Sequence, residues 1–337
     1  MAARLGRLRE QNSAYGFAAT FMPSYLVTGG AGFIGSHLAE AIARQGHSVR
    51  VADNLSTGKR ENLDHIPEVE FLEGDLADFD FAERAVEGMQ YVLHQAAIPS
   101  VARSVEEPLA SHKANVDATL NVLVASRSAG VKRVVYAGSS SVYGDAPALP
   151  KGEDMASHPL TPYALQKLVA EQYCVMFTRL FGFETVSLRY FNVFGPRQDP
   201  GSPYSGVISR FAVAMLAGQP PTIYGDGEQT RDFTYVANVV DGVMRACAAP
   251  DVSGQVINLA TGRRISLNGL VRTLNECLGT QLKAIHEEPR IGDIRDSQAD
   301  VSRAEALLGY QPRVSLDEGL RLTLDWFRTG RPAHVDA

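Results

Sequence analysis

Tyr25-Leu26-Val27-Thr28-Gly29-Gly30-Ala31-Gly32-Phe33-Ile34-Gly35-Ser36-His37-Leu38 reads as a strand, a glycine turn and the start of a helix. Gly29, Gly32 and Gly35 recur every third residue, and an Ala-rich helical pattern runs on from Ser36 to Arg44. In a dinucleotide site the first glycine makes the tight turn, the second admits a pyrophosphate against the backbone, and the third lets helix pack on strand. The phosphates then meet unpaired N–H groups at the helix N-terminus. A bare glycine pattern is weak evidence. Here Val49-Arg50-Val51-Ala52-Asp53-Asn54 supplies a second strand ending in an acid, about 20 residues beyond the last glycine. A carboxylate there accepts from a ribose diol and repels a 2′-phosphate, so Asp53 argues for NAD over NADP.

Working outward, the 337 residues are 45% hydrophobic and 21% charged, as in an ordinary globular chain of one large domain or two unequal ones. A formal net charge of −6 and the lack of a Lys/Arg block leave no footprint for nucleic acid or an anionic membrane. No apolar run is long enough to cross a bilayer. Cys174, Cys247 and Cys277 are odd in number and widely spaced, which fits reduced thiols in a cytoplasmic chain. No Cys/His cluster suggests a metal. Residues 1–22 form an N-terminal extension: three arginines within Met1–Arg9 are followed by Gln11-Asn12-Ser13, not by the apolar core of a secretory signal. Met22 is an alternative start.

Downstream, Asn54-Leu55-Ser56-Thr57-Gly58 reads as a polar loop, and Val69–Leu72 as a third strand leading to Gly74-Asp75-Leu76. Asp75 suits either an adenine amino group or a helix cap. Tyr91–His94 is a fourth strand, opening into the small residues of Gln95-Ala96-Ala97, with His94 packed rather than catalytic. A helix is expected over Asn115–Ala129, ended by Gly130, then a strand over Arg133–Ala137 and a helix over Pro162–Phe181. Glu184–Leu188 and Val256–Leu259 complete the strands. Alternation of strands and helices implies an α/β fold, a doubly wound parallel Rossmann sheet covered on both faces. The expected division is an NAD-binding domain at 23–190, with returns near 232–246 and 255–260, and a smaller discontinuous substrate lobe at 191–231 and 261–328.

Ser139, Tyr163 and Lys167 form a second constellation. Pro162 suits a first helical turn, so Tyr163 and Lys167 fall four apart on one helix face, while Ser139 ends a strand of the same sheet. A phenol with a reference pKa of about 10 is a poor base at neutral pH. A nearby ammonium and a positive nicotinamide both favour phenolate, which makes Tyr163 a plausible base for a hydroxyl proton. Taken alone, Tyr163 and Lys167 read sooner as an ordinary i,i+4 pair on a surface helix; the glycine loop and the Ser-rich strand end turn the reading towards chemistry.

The set Thr28–Gly35, Ser139-Ser140-Ser141-Val142-Tyr143-Gly144 and Tyr163-Ala164-Leu165-Gln166-Lys167 resembles the extended short-chain dehydrogenase/reductases that act on nucleotide sugars. The resemblance covers about residues 23–328. It implies NAD as cofactor, with Phe33, Ile34, Asn54, Ser56, Thr57, Gly58, Leu76, Gln95, Ala96, Ala97 and Tyr190 lining its site beside the glycines and acids above. The 4,6-dehydratases of the family place an Asp-Glu pair after the Ser/Thr, and UDP-glucuronate decarboxylases usually carry a Glu nearby; here Ser140 and Ser141 stand there. The resemblance therefore implies C4 epimerisation of a UDP-sugar through a 4-keto intermediate. It gives Asn192 and Arg231 the diphosphate, Arg290 and Asp293 the diphosphate and ribose, Ser100 the sugar side, and also points to Ser140, Ser141, Val207 and Tyr224. Strict UDP-glucose epimerases commonly carry Tyr where this chain has Ser297, and epimerases of N-acetylated hexosamines carry a small residue. The expected substrates are UDP-N-acetylglucosamine and UDP-N-acetylgalactosamine, with UDP-glucose and UDP-galactose accepted too. A UDP-glucuronate epimerase using Arg295, an NAD(H)-dependent 4-keto-sugar reductase and a non-enzymatic NAD sensor remain the alternatives. A homodimer is expected through the helices at Asn115 and Pro162, whose apolar residues, among them Leu165, Leu168, Val169, Cys174, Met176 and Phe177, lie on more than one side.

Overall fold

The computed structural model describes residues 23–66, 68–201, 206–289 and 294–329. Strands β1 (Ser24–Thr28), β2 (Ser48–Asp53), β3 (Glu70–Glu73), β4 (Tyr91–His94), β5 (Arg133–Ser139) and β6 (Glu184–Tyr190) join Gln255–Leu259 in one seven-stranded parallel sheet. Its order is Gln255–Leu259, β6, β5, β4, β1, β2, β3, so the direction of winding reverses between β1 and β4. A crevice opens there, beyond the carboxyl ends of the strands. Strands buried on both faces need apolar side chains throughout. Leu26, Val27, Val51, Leu93, Val134, Val135, Val186 and Ile257 supply them, all fully buried.

Helix α1 (Phe33–Arg44) lies on one face through Leu38, Ala39 and Ile42. On the other face lie α2 (Phe79–Val86) and, after the short α3 (Val101–Glu106) and α4 (Pro108–His112), helices α5 (Ala118–Ser128) and α6 (Pro162–Phe181). The helix expected from Asn115 in fact begins upstream at Pro108 and passes through a π-helical turn at Lys113–Asp117. Leu109 in that upstream part is exposed, so the apolar rhythm starts only at Val116. The turn aims Asn115 inward: its Oδ1 accepts from Ile98 N at 2.7 Å and its Nδ2 donates to Gln166 Oε1 at 2.8 Å, tying the loop after β4 to α6. Helix α6 is well specified locally. Thr161 Oγ1 caps it by accepting from Ala164 N, Pro162 opens it, and Gly182 closes it in the left-handed conformation at φ 64°.

The remaining helices are α7 (Val207–Leu216), α8 (Val236–Ala248), α9 (Leu267–Leu278), α10 (Ser302–Leu308) and α11 (Leu316–Thr329). A second core forms where α7, α9 and α11 meet, around Phe211, Met215, Leu270, Leu274, Leu320 and Leu324, and Phe33 and Ile34 of α1 touch it. Burying each such side chain contributes roughly 1.5–3 kcal/mol. Helix α8 joins α1 on the sheet. Residues 302–310, expected in the lobe, differ: Ala304, Leu308 and Tyr310 pack in the sheet's core, because α10 lies against Gln255–Leu259 and α8. No helix among the described residues is long and apolar enough to cross a membrane.

Candidate active site

A cavity of about 970 Å³ runs along the carboxyl rim of the sheet, from the glycine turn to the segment Ile294–Ser297. At one end the turn leaves β1 and enters α1. Gly29 has φ 64°, and a Cβ there would stand 2.7 Å from the Ala96 backbone; at Gly35 it would stand 2.2 Å from Gly29 O. Neither site tolerates a side chain. At Gly32 an added Cβ would approach Gly29 O at 3.1 Å, and Gly32 caps α1 without any side-chain hydrogen bond. The helix N-terminus is therefore open to an anion.

Asp53 ends β2 and is buried at the cavity wall, its Oδ2 accepting from Ala31 N at 3.0 Å and its Oδ1 from Leu55 N at 2.8 Å. Burial raises its carboxyl pKa, against the pull of those two N–H groups. Asn54, Ser56, Thr57 and Gly58 line the same end. Asp75 does too, and the choice left open for it is decided against capping. It accepts from Ala77 N in a local turn, whereas Asp78 caps α2. Leu76, Ala96, Ala97 and Tyr190 follow along the wall. Gln95 accepts at Oε1 from the Tyr190 hydroxyl, 3.1 Å away, while its buried Nε2 has no partner. An orphaned amide donor, a side-chain-free helix end and a buried carboxylate fit an amide-bearing dinucleotide. His94 is packed as expected, 2.7 Å from Thr28 Oγ1 and 3.0 Å from Thr119 Oγ1.

Ser139, Tyr163 and Lys167 meet at the middle of the cavity. Ser139 ends β5 and caps the following 3-10 turn, its Oγ 2.8 Å from Ser141 Oγ. Tyr163 is half-buried in the first turn of α6, anchored by its N–H to Ser104 Oγ at 3.0 Å. Lys167, one turn on, donates to Ala137 O at 3.0 Å. Burial pushes the Tyr163 phenol above its ordinary value, and only a hydrogen bond with Ser139 pulls the other way. The protein by itself therefore does not supply the acidified phenol expected from the sequence. Burial also brings Lys167 down to about 8, a value that leaves it mostly charged at neutral pH.

At the far end Ser140, Ser141, Asn192, Arg231, Asp296 and Ser297 line the cavity. Asn192 has φ 33° and donates to Asp232 O at 3.2 Å; Arg231 donates to Thr230 O at 2.9 Å. Ser297 is 9% exposed and its N–H reaches Thr230 O at 3.1 Å. Ser100 lies deep in the wall as the cap of α3, accepting from Arg103 N. Two expected contacts lie elsewhere. Val207 packs against the lobe's core behind Gly206, which does line the cavity, and Tyr224 ends the strand Thr222–Tyr224 away from the lining. Arg295 is exposed and forks onto Asp226 at 2.8 and 3.0 Å, away from the cavity. Arg290 and Asp293 lie outside the described residues.

The structure adds groups that the sequence left in loops. Arg197, with φ 65°, reaches from the lobe to Glu40 on α1, lies 3.0 Å from His65 Nε2, and donates to Ser36 Oγ at 3.4 Å. Burial opposes the Glu40 charge, but Arg197 and then His65 outweigh it and hold the carboxyl at about 2. Lys59 and Asp199 pair at 3.2 Å over the cofactor end. Lys151 lines the sugar end. The run Gly195-Pro196 marks a loop, but nothing local in it says which partner an arginine two residues on will find.

A parallel sheet with a glycine-turn dinucleotide site and a Ser-Tyr-Lys centre at its rim defines an NAD-dependent α/β enzyme of the extended short-chain dehydrogenase/reductase class. Residues 25–260 match the NAD dependent epimerase/dehydratase family, and the chain belongs to it. It is 40% identical over 308 residues to the UDP-glucose 4-epimerase of Mycolicibacterium smegmatis, covering 90% of this chain and 98% of that one. Among solved structures, the UDP-N-acetylglucosamine 4-epimerase of Methanobrevibacter ruminantium in complex with UDP-N-acetylmuramic acid superposes with a TM-score of 0.88 at 39% identity, over 92% of this chain and 99% of that one. The Thermus thermophilus UDP-glucose 4-epimerase complexed with NAD gives 0.83 at 38%, over 91% and 100%. The chain thus groups with the UDP-sugar 4-epimerases of its family, and NAD is its cofactor.

Proposed function

We propose that this enzyme inverts C4 of UDP-hexoses, interconverting UDP-N-acetylglucosamine and UDP-N-acetylgalactosamine and accepting UDP-glucose and UDP-galactose as well. NAD, held by Gly29–Gly35, Asp53, Asp75 and Gln95, supplies the hydride acceptor and donor. Tyr163 takes the C4 hydroxyl proton, Ser139 holds that hydroxyl in line, and Lys167 together with the nicotinamide charge favours the phenolate. Asn192 and Arg231 grip the diphosphate, so the 4-keto sugar turns without leaving. Tyr163 then returns the proton as hydride comes back to the other face.

The observation that carries the substrate choice is Ser297, a small side chain in the cavity wall that also holds Ser140 and Ser141. A phenol there would fill the space that a C2 acetamido group needs. Open space permits the larger sugar without excluding the smaller, since unused room discriminates less than a clash. The Arg295 fork onto Asp226 speaks against a uronate carboxylate held by Arg295. The intact Ser139, Tyr163 and Lys167 speak against a mere NAD sensor, because binding a dinucleotide does not need a positioned phenol. Incubating the purified protein with each UDP-sugar, without added cofactor, and quantifying the C4 epimer tests the reading. A requirement for added NAD(H) in every turnover indicates a 4-keto-sugar reductase instead.

The same reading includes a homodimer. In α6, Cys174 and Phe177 face the sheet, while Leu165, Met176, Leu180 and Phe181 are exposed, and Val101, Val105 and Leu109 of α3 and α4 add to that surface. The first-helix contribution comes from α3 and α4, since Leu120 and Val124 of α5 pack inward. An apolar surface of this kind suits a two-fold helical interface. A monomer by sedimentation at micromolar concentration rejects it.

A further inference from the structure

We infer that Lys151 is a specificity-determining residue of the sugar site, its ammonium donating to the exocyclic oxygen of the hexose edge that faces Ser297. The side chain is 2% exposed and lines the cavity shared with Tyr163, Ser141 and Ser297. Its root is fastened beside the Asp296–Asp300 segment: Lys151 N donates to Gln298 O at 2.7 Å, and Lys151 O accepts from Asp300 N and Asn258 Nδ2, both at 2.9 Å. Among the described residues the ammonium donates to Ala146 O and forms no ion pair with a carboxylate. Burial draws its pKa below the ordinary lysine value, and Asp145 and Asp296 only oppose that drift from a distance. A lysine serving merely as a strut to Ala146 would need one donor and no charge. Three donors with one protein acceptor, buried in a cavity wall, leave two for whatever enters the cavity.

The geometry of the reaction says what that is, and this step rests on the epimerase reading above. The hexose is held at C1 by the diphosphate and reacts at C4 beside Tyr163, so a half-turn about the C1–C4 line exchanges its C2–C3 edge with its C5–O5 edge. The wall at Ser297 and Lys151 therefore meets the C2 substituent in one orientation and the C6 hydroxymethyl group in the other. An amide carbonyl is a good acceptor for an ammonium, and a hydroxyl also accepts. One flexible cation can thus serve both orientations, with its largest advantage for the acetamido sugar.

The test measures binding of UDP, UDP-glucose and UDP-N-acetylglucosamine, and turnover of the two sugars, in the wild-type holoenzyme and in Lys151→Met. UDP affinity and bound NAD should hold within about 2-fold. The affinity advantage of UDP-sugar over UDP should shrink, and kcat/KM for the acetamido sugar should fall about 10- to 100-fold, as for loss of a hydrogen bond to a charged group. UDP-glucose should lose less. Equal weakening of UDP and both UDP-sugars makes Lys151 a strut and overturns the inference, as does no change at all. If Lys151→Met does not fold, Lys151→Gln, which keeps a donor for Ala146 O, is measured in its place against the same criteria. A wild-type enzyme that turns over UDP-glucose but not the acetamido sugar fails the substrate reading alone; Lys151 is then judged by whether UDP-glucose still loses its advantage over UDP.

Discussion

The two ends of the cavity are built in opposite ways. At the cofactor end five wall residues stand at or just past the end of a strand: Gly29 after β1, Asp53 ending β2, Asp75 after β3, Gln95 after β4 and Ser139 ending β5. Sheet register fixes their depth, and the first turns of α1 and α6 complete the set. At the sugar end the wall comes from Ser140, Ser141, Tyr143, Gly144, Lys151, Asn192, Arg231, Ile294, Asp296 and Ser297, which no single sheet or helix carries. Backbone bridges between distant segments hold it instead, such as Ser297 N to Thr230 O and Lys151 N to Gln298 O. The first end is suited to chemistry shared across a family, and the second to the choice of substrate.

The sharpest break in that comparison comes from Tyr163→Phe. The shape of the cofactor end should be kept and NAD retained, while turnover falls by ~100-fold to ~10,000-fold, the usual contribution of a positioned general base. Bound NAD is read by absorbance after denaturation, and turnover by the C4 epimer formed. Full activity would remove Tyr163 from the chemistry.

That same contrast explains what the sequence could carry. Gly29, Gly32, Gly35 and Asp53 lie within one strand-turn-helix-strand unit, and Tyr163 with Lys167 within one helical turn, so spacing alone placed them together. Asn192, Arg231 and Ser297 came only through resemblance, because contacts across the lobe leave no local rhythm. Arg197 shows the limit most plainly: its left-handed backbone and its partners Glu40 and His65 belong to the meeting of lobe and sheet. Residues 302–310 misled for the opposite reason. They follow lobe residues in sequence, yet their apolar side chains cover the sheet.

Arg197 is also where the lobe is fastened to the sheet layer, and Arg197→Met should loosen that joint. Removing Arg197 would still leave the buried Glu40 beside Arg44 and His65, so the cost should be about 1.5–3 kcal/mol, as for one hydrogen bond to a charged group, and below that of a wholly uncompensated buried charge. Denaturant unfolding should show a loss of about that size, and Arg197→Met combined with Glu40→Gln should recover part of it. An unchanged midpoint would mean that the pair contributes nothing to the joint.

Ser297→Tyr sharpens the comparison from the sugar end. The substitution should cut turnover of the acetamido sugars by about 100-fold or more through a clash, spare UDP-glucose and UDP-galactose, and leave NAD content unchanged. Competition kinetics with paired UDP-sugars measures the ratio directly. Equal loss for both classes would show that Ser297 does not guard the pocket.

The smallest effect is a difference in acid tolerance between the two ends. His94, 1% exposed at the end of β4, is held neutral: burial first, then the Lys167 charge, brings it to about 3. In the unfolded chain the same group titrates near 6.5. The unfolded state therefore binds its proton first, so the stabilising contribution of neutral His94 is complete above about pH 6.5 and is lost as the pH falls towards 3. Between pH 7 and 5.5 this amounts to about 1 kcal/mol. The lobe's described histidine, His286, is exposed. Amide exchange should accordingly show β4 and its neighbours losing protection in mild acid before α7, α9 and α11 do. His94→Gln should flatten that part of the pH dependence while shifting neutral stability by its own cost, since Thr28 and Thr119 still need partners. If β4 and the lobe helices loosen in step, and His94→Gln leaves the slope between pH 7 and 5.5 as it was, the buried histidine is not the group that senses the acid.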